Sequence, residues 1–422
     1  MIAFDTIWMD VLILGGLAWL LFRRQSLDNR FVFSAALTIK VLAGIFLGWI
    51  YFFYYQGQGD TLSYWHDGKL IAEKILQEPS GAMNFFWNGN PDSLYIPALI
   101  NDMPRSFFFS KISGVLALLS SGNYWIMATM LSVISFLAAW SLFLKTIEFF
   151  PSSRLAAAVA FLFFPSVVLW SSGLIKESLG LASLFFITGV LFTAMHGGKT
   201  KVWEWMMVLL SIWIGWNLKY YWMGIFLPIT LALGGVSVVR RYNPQIARFD
   251  ILVGLGVLSV LLLIVTNIHP NFYPSRFPEV IWENNQEFMA LSDVGNVVRY
   301  TDFEPTLYSI FTNSPQALVA GFFRPFVWES HNVLSTLAGV ENLVMLVLVL
   351  TALPGLRHIM TSPNRLVIMA AISYCIVLAI FLALSTPNLG TLSRYKVGFT
   401  PFLIFLTLYG GPFNSGWTQR KR

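Results

Sequence analysis

The chain has 422 residues, 56% of them hydrophobic and only 11% charged, against roughly 25% charged in an ordinary soluble domain. With a mean hydropathy of +0.66, that balance excludes a soluble globular enzyme and marks a polytopic membrane protein. The net charge of +6 points to orientation in a membrane rather than to nucleic acid, because many of the basic residues sit in short turns beside apolar runs.

At about 20 apolar residues per span, the runs in chain order are 6–22, 31–55, 122–147, 155–171, 178–196, 202–218, 221–239, 250–267, 334–354, 365–385 and 396–411. The expected fold is therefore all-α, a single integral membrane domain over 1–422 with about 11 transmembrane helices. The first run continues into "FRRQ" with no small-residue cleavage pattern, so it reads as a permanent span and not a signal peptide. The stretch 106–119 is apolar but short and carries Lys111, which predicts a helix lying on the interface or re-entering it. Phe, Trp and Tyr are abundant, as expected where many helix ends meet the lipid headgroups. Cys375 is the single cysteine and lies in an apolar run, so neither an intramolecular disulfide nor a cysteine metal cluster can form.

The turns carry the orientation signal. Arg23, Arg24 and Arg30, then Arg154, Lys199 and Lys201, Arg240, Arg241 and Arg248, Arg357 and Arg365, and the tail Arg420-Lys421-Arg422 all fall on one face. Lys and Arg collect on the cytoplasmic side, which predicts an outside N-terminus and a cytoplasmic C-terminus in a cell membrane, with the bacterial inner membrane as the expected location. Two long connections, 56–121 and 268–333, then lie outside, and loops of that length are usually functional. Interfacial helices are expected in both. The second contains Pro270, Pro274, Pro278, Pro305, Pro315 and Pro325, which predicts short helices there. No internal repeat is visible, which weighs against a carrier built from inverted repeats.

The outer face has its own cations at helix mouths: Lys176 in "WSSGLIKES", Lys219 in "WNLKYYW", Arg276, Arg299, Arg324 in "FFRPFVWES", and Arg394 and Lys396 in "NLGTLSRYKVGF". Several cations at one membrane depth suit a lipid phosphate or diphosphate. The competing reading is that they snorkel to the interface or pair locally with Glu177, Glu329 and Asp302. The acidic candidates begin with Asp60 and Asp67 in "GDTLSYWHD", seven apart and so on one face of a helix. A carboxylate there can deprotonate an acceptor hydroxyl or hold a divalent cation, and Asp60 can equally cap a helix whose Leu62, Trp65, Leu70, Ile71 and Ile75 lie against lipid. Tyr64 and Trp65 read as interface anchors, and His66 as a hydrogen-bonded interface residue rather than a metal ligand. Glu341, in "LAGVENLVM", is the main ionisable residue away from that face and reads as packed, hydrogen-bonded or protonated. No P-loop, dinucleotide fingerprint, His-Glu-x-x-His or Gly-x-Ser-x-Gly motif is present.

Three stretches, "GDTLSYWHDG", "FPSVVLWSSGLIKESLG" and "NLGTLSRYKVGFTPFL", together with the general topology, resemble the glycosyltransferase-C superfamily. The resemblance implies a membrane enzyme that takes a sugar from a polyprenyl-phosphate donor and passes it to a glycan, lipid or protein acceptor at the outer surface of the bilayer. It implies Asp60 as catalytic base or metal-linked acceptor group, and Lys176 and Arg394, with Lys219 and Arg324, as ligands of the lipid phosphate. His66, Asp67, Glu177, Arg299, Glu329 and Tyr395 stand in a second rank. The chain departs from the best-known members in having a span ahead of the Asp60 loop and no adjacent acidic pair there, so a divalent cation stays open. Two other readings share the topology: a polysaccharide polymerase or ligase acting on lipid-linked glycans, and a lipid-linked sugar flippase or transporter. The latter calls for ionisable residues deep in the spans.

Overall fold

A computed structural model describes residues 7–88, 99–150, 152–243, 245, 249–268, 270–360, 362 and 364–412. Arg248 and the tail Arg420-Lys421-Arg422 lie outside the described residues. The chain is all-α: 82% is helical, and no strand occurs among the described residues. In order the helices are α1 (Ile7–Arg23), α2 (Leu27–Trp49), α3 (Asp60–Gln77), α4 (Pro79–Asn88), α5 (Pro104–Leu119), α6 (Tyr124–Phe149), α7 (Arg154–Ala158), α8 (Pro165–Trp170) and α9 (Lys176–Met195). They continue as α10 (Val202–Tyr242), α11 (Asp250–Ile268), α12 (Phe277–Ala290), α13 (Leu307–Phe323), α14 (Val333–Met360), α15 (Arg365–Ser385), α16 (Leu389–Tyr395) and α17 (Thr400–Gly410).

Six helical stretches among the described residues are long and apolar enough to cross a membrane: Leu27–Tyr54, Tyr124–Phe149, Lys176–Met195, Val202–Arg240, Val333–Gly355 and Arg365–Ser385. The apolar runs led to an expectation of about 11, and the difference has local causes. The run 155–171 is divided among α7, a π-helical turn at Val159–Phe163 and α8, the last beginning at Pro165, whose missing N–H cannot continue a helix. The runs 202–218 and 221–239 are two helical stretches that meet at a kink within α10, where Lys219 has non-helical φ/ψ (φ −141°, ψ 61°). The apolar helices Asp250–Ile264 and Thr400–Gly410 are shorter, and α1 has 17 residues.

The chain divides into two units. The first comprises residues up to Leu142 with Val168–Ile187 and Met206–Tyr220. Its core pairs α3 with α5, and the helices approach closely because Gly114 of α5 faces Ile71, with which a Cβ there would collide. Tyr64 meets Phe109 edge to face at 4.7 Å, within an apolar cluster that includes Leu116, Leu131, Leu174 and Leu218. Full burial of Ile71 and Phe109 contributes about 1.5–3 kcal/mol each. The apolar face of α3 thus packs on protein instead of lipid: Ile71 is buried and Trp65 donates to the Gly122 carbonyl at 2.8 Å. The stretch 106–119 does form a helix, α5, and it is the partner that covers this face.

The second unit comprises Phe143–Val167, Thr188–Trp205 and Tyr221 onward. The connection 268–333 is more helical than its prolines predict, since α13 runs for 17 residues with Pro315 inside it and packs along α15. That connection is tied to the end of α15: Asn285 Nδ2 donates to the Leu384 carbonyl at 2.6 Å, and the Val298 amide to the Pro387 carbonyl at 2.9 Å. At another place in the unit, Asn364 Nδ2 donates to the Phe149 carbonyl and Asn364 Oδ1 lies 3.3 Å from His196 Nε2, while Asp250 pairs with Arg240 and Arg365. Helix ends from four of the basic turns therefore meet.

Candidate functional site

Asp60 opens α3, in the first turn, where a carboxylate complements the exposed amides of a helix N-terminus. The residue before it, Gly59, has φ 118° and lies against the Tyr51 ring, which leaves no room for a Cβ. Glycine is the residue that fits both requirements. Asp60 is half-buried, and its carbonyl accepts a hydrogen bond from Ser63 Oγ at 2.8 Å.

Asp67, two turns on, has a different task. Its side chain is 0% exposed, and it accepts from the Ile100 amide (2.8 Å), the Asn101 amide (3.1 Å), Asn101 Nδ2 (2.7 Å) and Ser110 Oγ (2.9 Å). Four donors match the acceptor capacity of a carboxylate, so Asp67 clasps residues 100–101 and α5 to α3 rather than serving as a base. His66 remains exposed, with Nδ1 3.6 Å from Asp67 Oδ1. Asp67→Ala is expected to destabilise the protein by about 3 kcal/mol, since buried donors left unpaired cost about 1–3 kcal/mol each. Hydrogen exchange should rise first at Ile100 and Asn101; unchanged protection there would show that the clasp is dispensable.

Lys176 is the first residue of α9, and its ammonium lies 5.4 Å from the centre of the Tyr64 ring and 3.2 Å from Ser106 Oγ, which it can reach as donor. Tyr64 is 1% exposed, so it is a packed residue and not the interface anchor its type suggested. Arg105, beside Ser106, places its guanidinium over the Tyr220 ring at 5.0 Å. The turn before Lys176 is held by the Gly173 amide donating to Ser132 Oγ at 2.9 Å and by Ser178 Oγ donating to the Gly173 carbonyl at 2.8 Å. Next in sequence, Glu177 accepts from Lys219 Nζ at 2.7 Å in a buried pair. For Lys219 the structure thus favours the local-pair reading over phosphate binding.

In the second unit Arg324 grips Glu329 with two nitrogens, Nε at 3.0 Å and Nη2 at 2.5 Å, and Glu329 also accepts from the Phe326 amide. Here too the local pair is the observed arrangement. Lys396 is buried, donating to Asn342 Oδ1 and, at 3.4 Å, to the Arg324 carbonyl, while Asn342 Nδ2 donates to the Pro325 carbonyl at 2.8 Å. Glu341 is hydrogen-bonded, accepting from the Ser166 amide at 2.9 Å. Burial pushes the Tyr300 phenol up and the charge of Arg324 draws it down; its hydroxyl has no hydrogen-bond partner among the described residues. Arg394 and Tyr395 end α16, half-buried, with the Arg394 guanidinium 5.6 Å from the Tyr395 ring centre. Asn388 caps this helix, accepting from the Thr391 amide at 2.8 Å. Arg299 is exposed, and Arg276 pairs with Glu279 and Glu283.

Comparison with protein-family models, curated proteins and solved structures finds no match. The local chemistry therefore carries any functional reading. Among the described residues no group of three or more His, Cys, Asp and Glu side chains is placed to hold a metal, and Asp67 spends its oxygens on loop donors.

Sequence patterns did not show that three lysines, Lys40, Lys111 and Lys396, are buried. Lys40, within the span Leu27–Tyr54, donates to Ser171 Oγ. Lys111 donates to the Phe85 carbonyl at 3.0 Å and lies over the rings of Phe85 and Phe107, and burial lowers its pKa. Lys396 was visible only as one more outer cation, and nothing near it in sequence identifies Asn342 as its partner. The available signal was a lysine inside an apolar run, which calls for a polar partner.

Proposed function

We propose that the protein is a membrane glycosyltransferase that moves a sugar from a polyprenyl-phosphate donor to an acceptor at the outer membrane surface, in cell-envelope glycan or glycoconjugate assembly. The observation that carries the reading is the surface of α3. Asp60 and Tyr64 are one turn apart, hence neighbours on that helix, and the Lys176 ammonium rests against Tyr64. Asp60 thus opens α3 shortly after the span Leu27–Tyr54, and Lys176 packs against Tyr64 of the same helix, one turn further on. The superfamily resemblance of the three stretches supports the same assignment.

In this reading Asp60 takes the proton of the acceptor hydroxyl as its oxygen bonds to the anomeric carbon. The bond from that carbon to the phosphate oxygen breaks, and the electron pair leaves with the polyprenyl phosphate. Lys176 stabilises the growing negative charge on the departing phosphate. A single displacement inverts the anomeric configuration. Lys176→Met is expected to raise the KM for the lipid donor about tenfold or more, the value of one charge-assisted hydrogen bond. Reconstituted protein with labelled donor in liposomes measures this, and an unchanged KM would remove Lys176 from the phosphate site.

A further inference from the structure

The second unit contains a cavity that the transferase reading does not use. Its volume is about 370 Å³, within the range of roughly 300–1,000 Å³ typical of small-molecule sites. The polar lining is His196, Ser237, Arg240 and Asn364; Met195 and Val367 are among its apolar lining. Arg240 is held from behind. Its Nη2 lies 3.2 Å from Asp250 Oδ2, and Arg365 Nη2 reaches the same oxygen at 3.0 Å. Asp250 is fully buried, and two guanidinium groups against one carboxylate leave a net positive charge. The Arg240 side chain is 36% exposed, so part of its five-donor fork stays open to a ligand.

The helix ends around the cavity bear on the ligand class. The spans Lys176–Met195 and Val202–Arg240 end at it, and the span Arg365–Ser385 begins beside it. Helix ends of this kind lie at the headgroup level of a bilayer. A cation, a histidine and an amide beside Met and Val suit an amphipathic anion whose phosphate meets Arg240 while its chain continues into lipid. We propose that this cavity binds the phosphate headgroup of an anionic membrane phospholipid.

The test uses the full chain, purified in detergent and stripped of anionic lipid, with native mass spectrometry and thermal denaturation as readouts. Phosphatidylglycerol should bind and raise the melting temperature, whereas phosphatidylcholine and inorganic phosphate should not. Arg240→Gln should weaken phosphatidylglycerol binding about tenfold to hundredfold, as expected for one charge-assisted hydrogen bond. Ser237→Leu, which fills the cavity without touching the Asp250 pairs, should weaken it comparably and decides the matter if Arg240→Gln fails to fold. Wild-type affinity in the folded variants would overturn the proposal. Equal stabilisation by inorganic phosphate would assign the cavity to a soluble anion and overturn the lipid.

Discussion

Asp60→Asn is expected to lower sugar transfer by about 10²–10⁴-fold, the usual contribution of a positioned general base, while leaving the fold intact. Asparagine matches the carboxylate in shape and is favoured near helix starts. The change forfeits about 0.3–1 kcal/mol of interaction with the amide end of α3. The Asp67 clasp, which ties residues 100–101 and Ser110 of α5 to α3, is made by other side chains. The measurement is turnover of labelled polyprenyl-phosphate sugars by the purified variant in liposomes, alongside its melting curve. Wild-type turnover with an unchanged melting curve would exclude Asp60 as the base.

Physical periodicity made much of the architecture legible. Apolar runs identified a helical membrane protein, and helix ends from four of the basic turns meet through Asn364 and Asp250. The interruption between 218 and 221 is visible as the departure of Lys219 from helical geometry. The failures concern tertiary partners. A stripe of Leu, Trp and Ile looks the same whether lipid or another helix covers it, so the face of α3 was assigned to lipid although α5 packs there. Asp67 resembled Asp60 by spacing alone, because its donors at 100, 101 and 110 lie in another segment. The partner of Lys40, Ser171, is 131 residues away and leaves no local trace. Cations at helix mouths were correctly suspected of pairing locally, and for Lys219 and Arg324 that simpler alternative describes the geometry.

The Lys219–Glu177 pair makes the largest stability prediction. Its side chains are 3% and 0% exposed, and their N···O distance is 2.7 Å. Lys219→Met should cost about 3–5 kcal/mol because it leaves the Glu177 carboxylate buried without its ammonium partner. Glu177→Gln should cost a similar amount by removing the carboxylate charge that faces the buried ammonium at the break in α10. Replacing both together should recover most of the loss, because an apolar or neutral pair of similar volume avoids the desolvation of two ions. A double-mutant cycle on melting or denaturant unfolding in detergent reads the coupling directly. If Lys219 instead existed to hold the donor's phosphate, Glu177→Gln would leave stability unchanged and tighten donor binding by freeing its charge. A cycle with no coupling, joined to a lower donor KM in Glu177→Gln, would restore Lys219 to the phosphate site. Strong coupling makes the pair a brace between α9 and α10, immediately beside Lys176, and gives Glu177 a positioning role.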